Sequence, residues 1–303
     1  MNDYSIIKTL AKGFNCAYFE NEPLSKHTTF RIGGPADLYI AVNSTQAMSE
    51  IYSACIKCGI KTLVLGSGSN LLVTDNGFRG VVLSTVNCLS NAEYDGAYII
   101  ECDAGVKLSR ICTTALENGL TGLEFAWGIP GSIGGAVYMN AGAYDGEIKN
   151  VLYSVEHITQ TGEIVEVSAN DINLGYRMSD YQKNNCIITK VKLKLASGVQ
   201  SEIKAKMDDF MQRRKDKQPL EFASAGSTFK RPAGNFAGKL IEECNLKGYS
   251  FGDACVSEKH SGFIINKGNA TFFDVMKVIE HVKQEVYFQK NVKLECEVKI
   301  VGD

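Results

Sequence analysis

The residues of this chain best placed to do chemistry lie in two glycine-rich runs. In the first, Gly66-Ser67-Gly68-Ser69-Asn70-Leu71 links two apolar segments of strand-like composition. Glycine at 66 and 68 lets successive backbone N–H groups converge, and Ser67, Ser69 and Asn70 add side-chain donors, a nest suited to a pyrophosphate. A plain hairpin turn draws on the same residue types. The third glycine of GxGxxG and the helix that should follow it are missing, which argues against a Rossmann dinucleotide loop, and there is no Walker sequence. The second run holds Gly128, Gly131, Ser132, Gly134 and Gly135, and then Asn140, Gly142 and Ala143. Such small residues admit close approach of backbone, either to a flat ligand or to another stretch of chain. Two loops of this kind, both poor in charge, favour one large cofactor whose phosphates are met by backbone rather than by Lys and Arg.

Other chemistries find less to build on. Cys55 and Cys58 form the one CxxC, but at the end of an expected helix, whereas thiolate activation wants the helix N-terminus. Cys55 also continues the apolar face of Met48 and Ile51, so packing is favoured over redox or metal chemistry. The four histidines show neither HExxH nor HxxxH spacing, and no metal site is expected.

The elements that must carry the loops follow from hydrophobic periodicity. Residues 38–42 and 61–65 read as strands around a helix over 45–58 that Ser44 opens and Gly59 closes. Strand patterns recur at 80–84, 97–101, 151–158, 162–167 and 188–195, and the last alternates Val191, Leu193 and Leu195 against lysines. A helix over 107–118 gathers Leu108, Ile111, Cys112, Ala115 and Leu116 on one face before Gly119 stops it. Around 197–201 the pattern changes to a charged helix over 202–217 with Ile203, Met207, Phe210 and Met211 inward, which marks a domain boundary. Beyond it come a loop over 221–232, helices near 236–244 and 272–290, and a final strand over 292–301. This is an α+β layout rather than regular βαβ.

Composition removes whole classes. With 45% hydrophobic and 22% charged residues in a chain of 303, disorder is excluded, and 29 glycines beside 5 prolines with no G-X-Y period exclude collagen and linker sequence. A net charge of −2 offers no footprint for nucleic acid. The N-terminal residues lack the apolar core of a secretory signal, and the apolar stretch 123–143 is broken by Glu124, Pro130 and glycines, so neither export nor a membrane span is expected. Ten cysteines in such a chain read as reduced thiols of a cytoplasmic protein.

Five motifs, taken in order, carry a resemblance. Thr29-Phe30-Arg31-Ile32-Gly33-Gly34, Gly66 to Leu71, Trp127-Gly128-Ile129-Pro130-Gly131-Ser132-Ile133-Gly134-Gly135, Gly175-Tyr176-Arg177 and Gly226-Ser227-Thr228-Phe229-Lys230, followed by Leu294-Glu295-Cys296-Glu297, are similar to those of the UDP-N-acetylenolpyruvoylglucosamine reductases of cell-wall synthesis. The resemblance covers nearly the whole chain. It implies an FAD-binding fold of the vanillyl-alcohol oxidase (PCMH) type in two subdomains, 1–75 and 76–198, with a smaller α+β substrate-binding domain at 199–303 whose last strand returns to the active site. It also implies non-covalent FAD held by Arg31, Gly33, Gly66, Ser67, Gly68, Ser69, Asn70, Leu71, Gly131, Ser132, Gly134, Gly135 and Ala143.

In that family hydride passes from NADPH to the flavin and then to the enolpyruvyl methylene of UDP-N-acetylglucosamine enolpyruvate, the two substrates using one cleft in turn. The second step needs an enolate stabilised and one proton supplied. By resemblance Arg177 and Glu297 stabilise and Ser227 supplies the proton, while Tyr176, Lys217 and Lys247 contact the UDP-sugar. Physically, the Arg177 fork can hold a carboxylate bidentately, and Ser227 between Gly226 and Thr228 projects from a loop. Unaided, Arg177 reads as a surface charge, Ser227 as a turn residue and Glu297 as part of a solvated strand face with Lys293 or Lys299. Arg231 stands where some members carry Asn, and the short span from Arg177 to Lys217 matches the compact subtype without an inserted tyrosine-bearing loop.

Two rival readings stand beside this one. A flavin oxidase or dehydrogenase of the same fold would use another substrate and often a flavin linked through His or Cys, yet nothing around His27 suggests a linkage. A nucleotide-sugar binding module without turnover accounts for the glycine loops, Lys217 and Lys247, but leaves Arg177, Ser227 and Glu297 without a common purpose.

Overall fold

The computed structural model describes residues 3–86 and 89–302. The chain forms two compact units, each discontinuous in sequence: Met1–Glu20, Leu38–Ser67 and Gly80–Arg213 make the first, and Asn21–Asp37, Gly68–Arg79 and Arg214–Asp303 the second. The division falls inside the charged helix Gln200–Lys217. Among the described residues no helix is long and apolar enough to cross a membrane.

In the first unit a five-stranded antiparallel sheet runs in the order Ile164–Ser168, Leu152–Ile158, Ile187–Lys194, Ile99–Asp103, Ala92–Tyr94. Its central strand shows the expected alternation, with Val191 and Leu193 fully buried and Lys190 and Lys192 on the other face. There Lys192 lies opposite Glu101 in register and pairs with Glu101 at 3.5 Å and Glu166 at 2.8 Å, which knits the polar face across three strands. The apolar face is covered by the helices Leu108–Glu117 and Ile133–Met139, whose Leu108, Ile111, Cys112, Ile133 and Val137 join the same core.

A second core in this unit holds the helices Ser5–Gly13 and Thr45–Lys57 against a parallel pairing of Thr62–Leu65 with residues 81–84. Ser44 caps the longer helix by accepting from the Ala47 N–H at 3.2 Å, and Gly59 follows at φ +64°, a left-handed residue that ends it. Cys55 is fully buried, and burial pushes its thiol up to about 12, so it packs and carries no thiolate.

The second unit is built on a four-stranded antiparallel sheet in the order Ala223–Ser227, Phe263–Asn266, Ala254–Val256, Ser250–Phe251. Helices Ala237–Glu243 and Phe272–Lys290 pack on it, and Phe30, Ile32 and Leu72 enter the same core. Thr271 and Asp274 close a capping box at the start of the long helix.

Two expectations are corrected here. The span 221–232 is not all loop, because Ala223–Ser227 is an edge strand; lacking β-branched residues, it is set by its pairing with Phe263–Asn266 rather than by propensity. The final strand does not run from 292 to 301 but is regular only over Lys299–Val301, parallel to Leu71–Val73. Upstream, the N–H groups of Glu297 and Val298 both point to the carbonyl of Thr228, at 2.8 and 3.5 Å, and two successive amides on one acceptor break the strand alternation. Alternation does not carry one buried face through to the end, for Leu294 and Val298 are buried while Ile300 is 46% exposed.

Candidate active site

In the first unit the two glycine runs meet at one serine. A Cβ on Gly66 would collide with the Ser132 hydroxyl, and one on Gly135 would lie 3.5 Å from it. The hydroxyls of Ser67 and Ser132 are both buried without a hydrogen-bond partner. Ser132 is the N-cap of Ile133–Met139, yet its side chain makes no capping bond. Leaving a buried hydroxyl unsatisfied costs about 1–3 kcal/mol, so two such orphans beside cradle-forming glycines fit a polar ligand such as a cofactor phosphate. Gly131 anchors this loop, its carbonyl accepting from Leu108 N–H at 3.0 Å. Gly134 has another reason to be glycine: a Cβ there would stand 2.8 Å from that of Ala104, so close packing excludes a side chain.

The same unit holds Tyr176 and Arg177 as the two-residue turn between Leu174–Gly175 and Met178–Ser179. Arg177 has φ +52°, a left-handed conformation that costs a non-glycine residue about 1 kcal/mol and is retained where the surroundings over-determine it. Its guanidinium donates to the Gly142 carbonyl at 2.9 Å and lies 5.1 Å from the centroid of the exposed Tyr176 ring. Ala143 pairs with Gly146 in the short hairpin next to Gly142.

Three residues that sequence reasoning did not single out as site residues hold this turn. Asn140, fully buried at φ +42°, donates to Glu147 at 2.8 Å and to the Gly175 carbonyl at 2.9 Å, and accepts from Lys149 N–H at 3.0 Å. Gln182 donates to the Arg177 carbonyl at 3.0 Å and to that of Tyr138 at 3.1 Å, and Ser179 donates to Tyr138 at 2.7 Å. Asn140 was visible only as a member of the second glycine run; a polar residue at the end of an apolar helix was its one signal.

In the second unit the remaining candidates gather differently. Gly68, at φ +60°, packs so closely on residues 27 and 28 that a Cβ would strike the His27 carbonyl, while its own carbonyl accepts from Thr29 N–H at 3.2 Å. Thr29 also donates through its hydroxyl to Ser224 at 2.7 Å, and the next residue but one, Arg31, is exposed at φ +57°. Gly33 is held at φ +140° with Val73 behind it. Ser69 is half-buried, and Leu71 pairs with Lys299. The His27 ring engages Glu22 at 3.0 Å.

Ser227 ends its strand at a register shift, with Gly226 at φ +75° forming the bulge that re-aims it. Thr228 fixes the segment: its N–H donates to Gly262 at 2.8 Å, and its hydroxyl accepts from Ile264 N–H at 3.1 Å. The Thr228 carbonyl takes the Glu297 amide, and the Asn70 side chain donates to the Glu297 carbonyl at 3.2 Å. Ser227, Glu297 and Asn70 are thus one backbone cluster. Lys217 is exposed at the end of its helix, Lys247 pairs with Glu242 at 2.7 Å, and Arg231 lies 4.3 Å from the Phe236 ring centroid.

Two family models match the chain: an FAD binding domain over residues 36–168 and the UDP-N-acetylenolpyruvoylglucosamine reductase C-terminal domain over 218–301. The UDP-N-acetylenolpyruvoylglucosamine reductase of Clostridium kluyveri is 50% identical over 93% of this chain and 92% of its own, and that of Clostridium novyi 49% identical over 92% and 91%. The crystal structure of UDP-N-acetylenolpyruvylglucosamine reductase from Thermus caldophilus superposes with a TM-score of 0.80 at 33% identity, covering 94% of this chain and 98% of that one. Alkyldihydroxyacetonephosphate synthase, 15% identical over 64% of this chain and 41% of its own, reaches 0.50 and shares the fold alone. The α+β architecture is accordingly the FAD-binding fold of the vanillyl-alcohol oxidase type joined to a smaller domain, and the chain belongs to the UDP-N-acetylenolpyruvoylglucosamine reductase family.

Proposed function

We propose that this chain reduces the enolpyruvyl group of UDP-N-acetylglucosamine enolpyruvate to the lactyl ether, giving UDP-N-acetylmuramate, with non-covalent FAD and with NADPH as hydride donor. The observation that carries the flavin reading is the pair of buried, unpartnered hydroxyls on Ser67 and Ser132 beside Gly66 and Gly135. Those four residues, with Gly131 and Ala143, would hold the cofactor on the first unit, and the motif match extends the assignment to Arg31, Gly33, Gly68, Ser69 and Leu71. The flavin, when bound, supplies the hydride. Residues 1–75 and 76–198 serve as its two subdomains and 199–303 as the substrate-binding domain.

Hydride arriving at the methylene leaves charge on the neighbouring carbon and its carboxylate. Arg177 meets that carboxylate with a planar fork, held rigid by its bond to Gly142 and by the turn beneath it. The Ser227 hydroxyl, half-buried at its bulge and without a hydrogen bond to other described residues, hands its proton to the carbon. Glu297, half-buried, hydrogen-bonds to the enolate as a protonated carboxyl. Tyr176, Lys217 and Lys247 take the UDP-sugar, and Lys247 exchanges Glu242 for phosphate when it does so.

The setting we propose is the cytoplasm, in precursor supply for peptidoglycan and hence for cell shape and division. The nine described cysteines are all free thiols, in keeping with a reducing compartment. The test is direct: purified protein should be yellow, its flavin should be bleached by NADPH, and the enolpyruvyl sugar should restore the colour. Protein that takes up no FAD overturns the flavin reading, and flavin that NADPH reduces but the sugar never reoxidises overturns the substrate.

A further inference from the structure

Asn70 closes the phosphate-binding loop, and its side chain is turned toward the C-terminal segment of its own unit. Its amide donates to the Glu297 carbonyl at 3.2 Å across 227 residues of sequence, and its own carbonyl accepts from Lys299 N–H at 2.9 Å. From there the chain runs directly into the parallel pairing of Leu71–Val73 with Lys299–Val301. On its other side the Glu297 peptide donates to Thr228 at 2.8 Å, next to Ser227. The Glu297 backbone is therefore gripped through both its N–H and its C=O, and the second grip belongs to the loop that begins at Gly66. A side-chain amide engaged in this way has one donor fewer to offer a cofactor.

We propose that Asn70 is a positioning residue: occupancy of the loop by FAD stiffens Asn70, and Asn70 in turn fixes the backbone from which the Glu297 carboxyl reaches the substrate. The inference rests on the role given to Glu297 above. It ties cofactor loading to the competence of the second half-reaction, since the Asn70 amide holds the carbonyl of the very peptide whose carboxyl reaches the substrate. A misplacement of about 1 Å in a group that contacts the transition state slows a step about 100-fold.

The test uses full-length wild-type, Asn70→Ala and Asn70→Asp proteins, the last keeping the shape of the side chain while removing its donor. Hydrogen exchange of the Glu297 and Lys299 amides is followed in apoprotein and after adding FAD, beside FAD affinity and the two half-reactions. In wild type FAD should slow exchange at both amides. In both variants that protection should vanish at Glu297 and persist at Lys299, whose acceptor is the retained Asn70 backbone carbonyl, while reoxidation by the enolpyruvyl sugar slows at least about tenfold more than reduction by NADPH. Exchange at Glu297 and Lys299 that ignores FAD in wild type overturns the proposal. So do variants that lose FAD affinity while the two half-reactions slow together, which would make Asn70 a cofactor ligand. A Glu297→Gln protein with normal reoxidation would remove the role of Glu297, whereas the exchange result would still stand for the coupling.

Discussion

The backbone N–H of Glu297 donates to the carbonyl of Thr228 at 2.8 Å, so the two candidate groups for proton delivery and enolate stabilisation in this unit, Ser227 and Glu297, are carried on adjacent chain segments. Nothing local demands this: the two residues are far apart in sequence, one ending an edge strand and the other preceding a short parallel one. The pairing gives Ser227 and Glu297 a common frame whose rigidity comes from Thr228, bonded through its N–H, its hydroxyl and its carbonyl.

Ser227→Ala removes the proposed proton donor and leaves that frame intact. Reduction of the flavin by NADPH should change little, while reoxidation by the enolpyruvyl sugar should slow about 100-fold or more. Stopped-flow absorbance of the two half-reactions measures both. Equal loss in each would assign Ser227 a structural part instead.

Ser132→Ala should move two properties in opposite directions. The hydroxyl it deletes is buried and unpartnered in the protein alone, so the apoprotein gains about 1 kcal/mol or more of stability. FAD, if it satisfies that hydroxyl, binds the variant more weakly. Thermal melts with and without FAD read both signs, and an apoprotein destabilised by the change contradicts the orphan reading.

Asn140 is the buried pin of the Arg177 turn. Asn140→Ala forfeits its side-chain bonds to Glu147, Gly175 and Lys149 and strains a left-handed residue, for a loss of about 2–4 kcal/mol in chemical denaturation. Asn140→Gly loses the same bonds but accepts φ +42° freely, so it should be the milder of the two. If glycine is no better than alanine, the backbone conformation contributes nothing measurable.

Burial lowers the pKa of His157 and of His260 below the ordinary 6.5. The folded chain keeps both rings neutral: His157 Nδ1 meets the Tyr181 hydroxyl at 3.0 Å, and His260 Nδ1 accepts from Gly262 N–H at 3.1 Å. As pH falls below 6.5 the unfolded chain takes up protons first, so stability is complete above that pH and declines on acidification toward the lowered folded values. Denaturation midpoints between pH 7.5 and pH 5.5, about one unit either side of the ordinary value, should show this fall, and replacing His157 with Gln should flatten part of it. A midpoint that rises on acidification would contradict the assignment.

Much of the local structure was legible. The helices Thr45–Lys57, Leu108–Glu117 and Phe272–Lys290 follow apolar periodicity, and the cap at Ser44 and the stop at Gly59 stand where their chemistry requires. The glycine loops were also legible as loops. Their individual reasons were not: Gly68 and Gly134 yield to backbone or side chains packed against them, whereas Gly66 and Gly135 border the Ser132 hydroxyl. Composition cannot separate close packing from ligand approach, because both ask only that a Cβ be missing.

What the sequence determined by itself is therefore the inventory of short-range order and, through its motifs, the chemistry to expect: strand and helix periods, caps, and the Tyr176-Arg177 and Gly226-Ser227 pairs. Tertiary structure alone decided that Ala223–Ser227 is a strand, that the segment before Lys299 is bent, that the units are discontinuous, and that Asn70 faces Glu297. The reason is range. A periodic face or a capping serine acts within a few residues and leaves its mark there, while a hydrogen bond spanning 227 residues leaves none in either neighbourhood and exists only once the chain has closed upon itself.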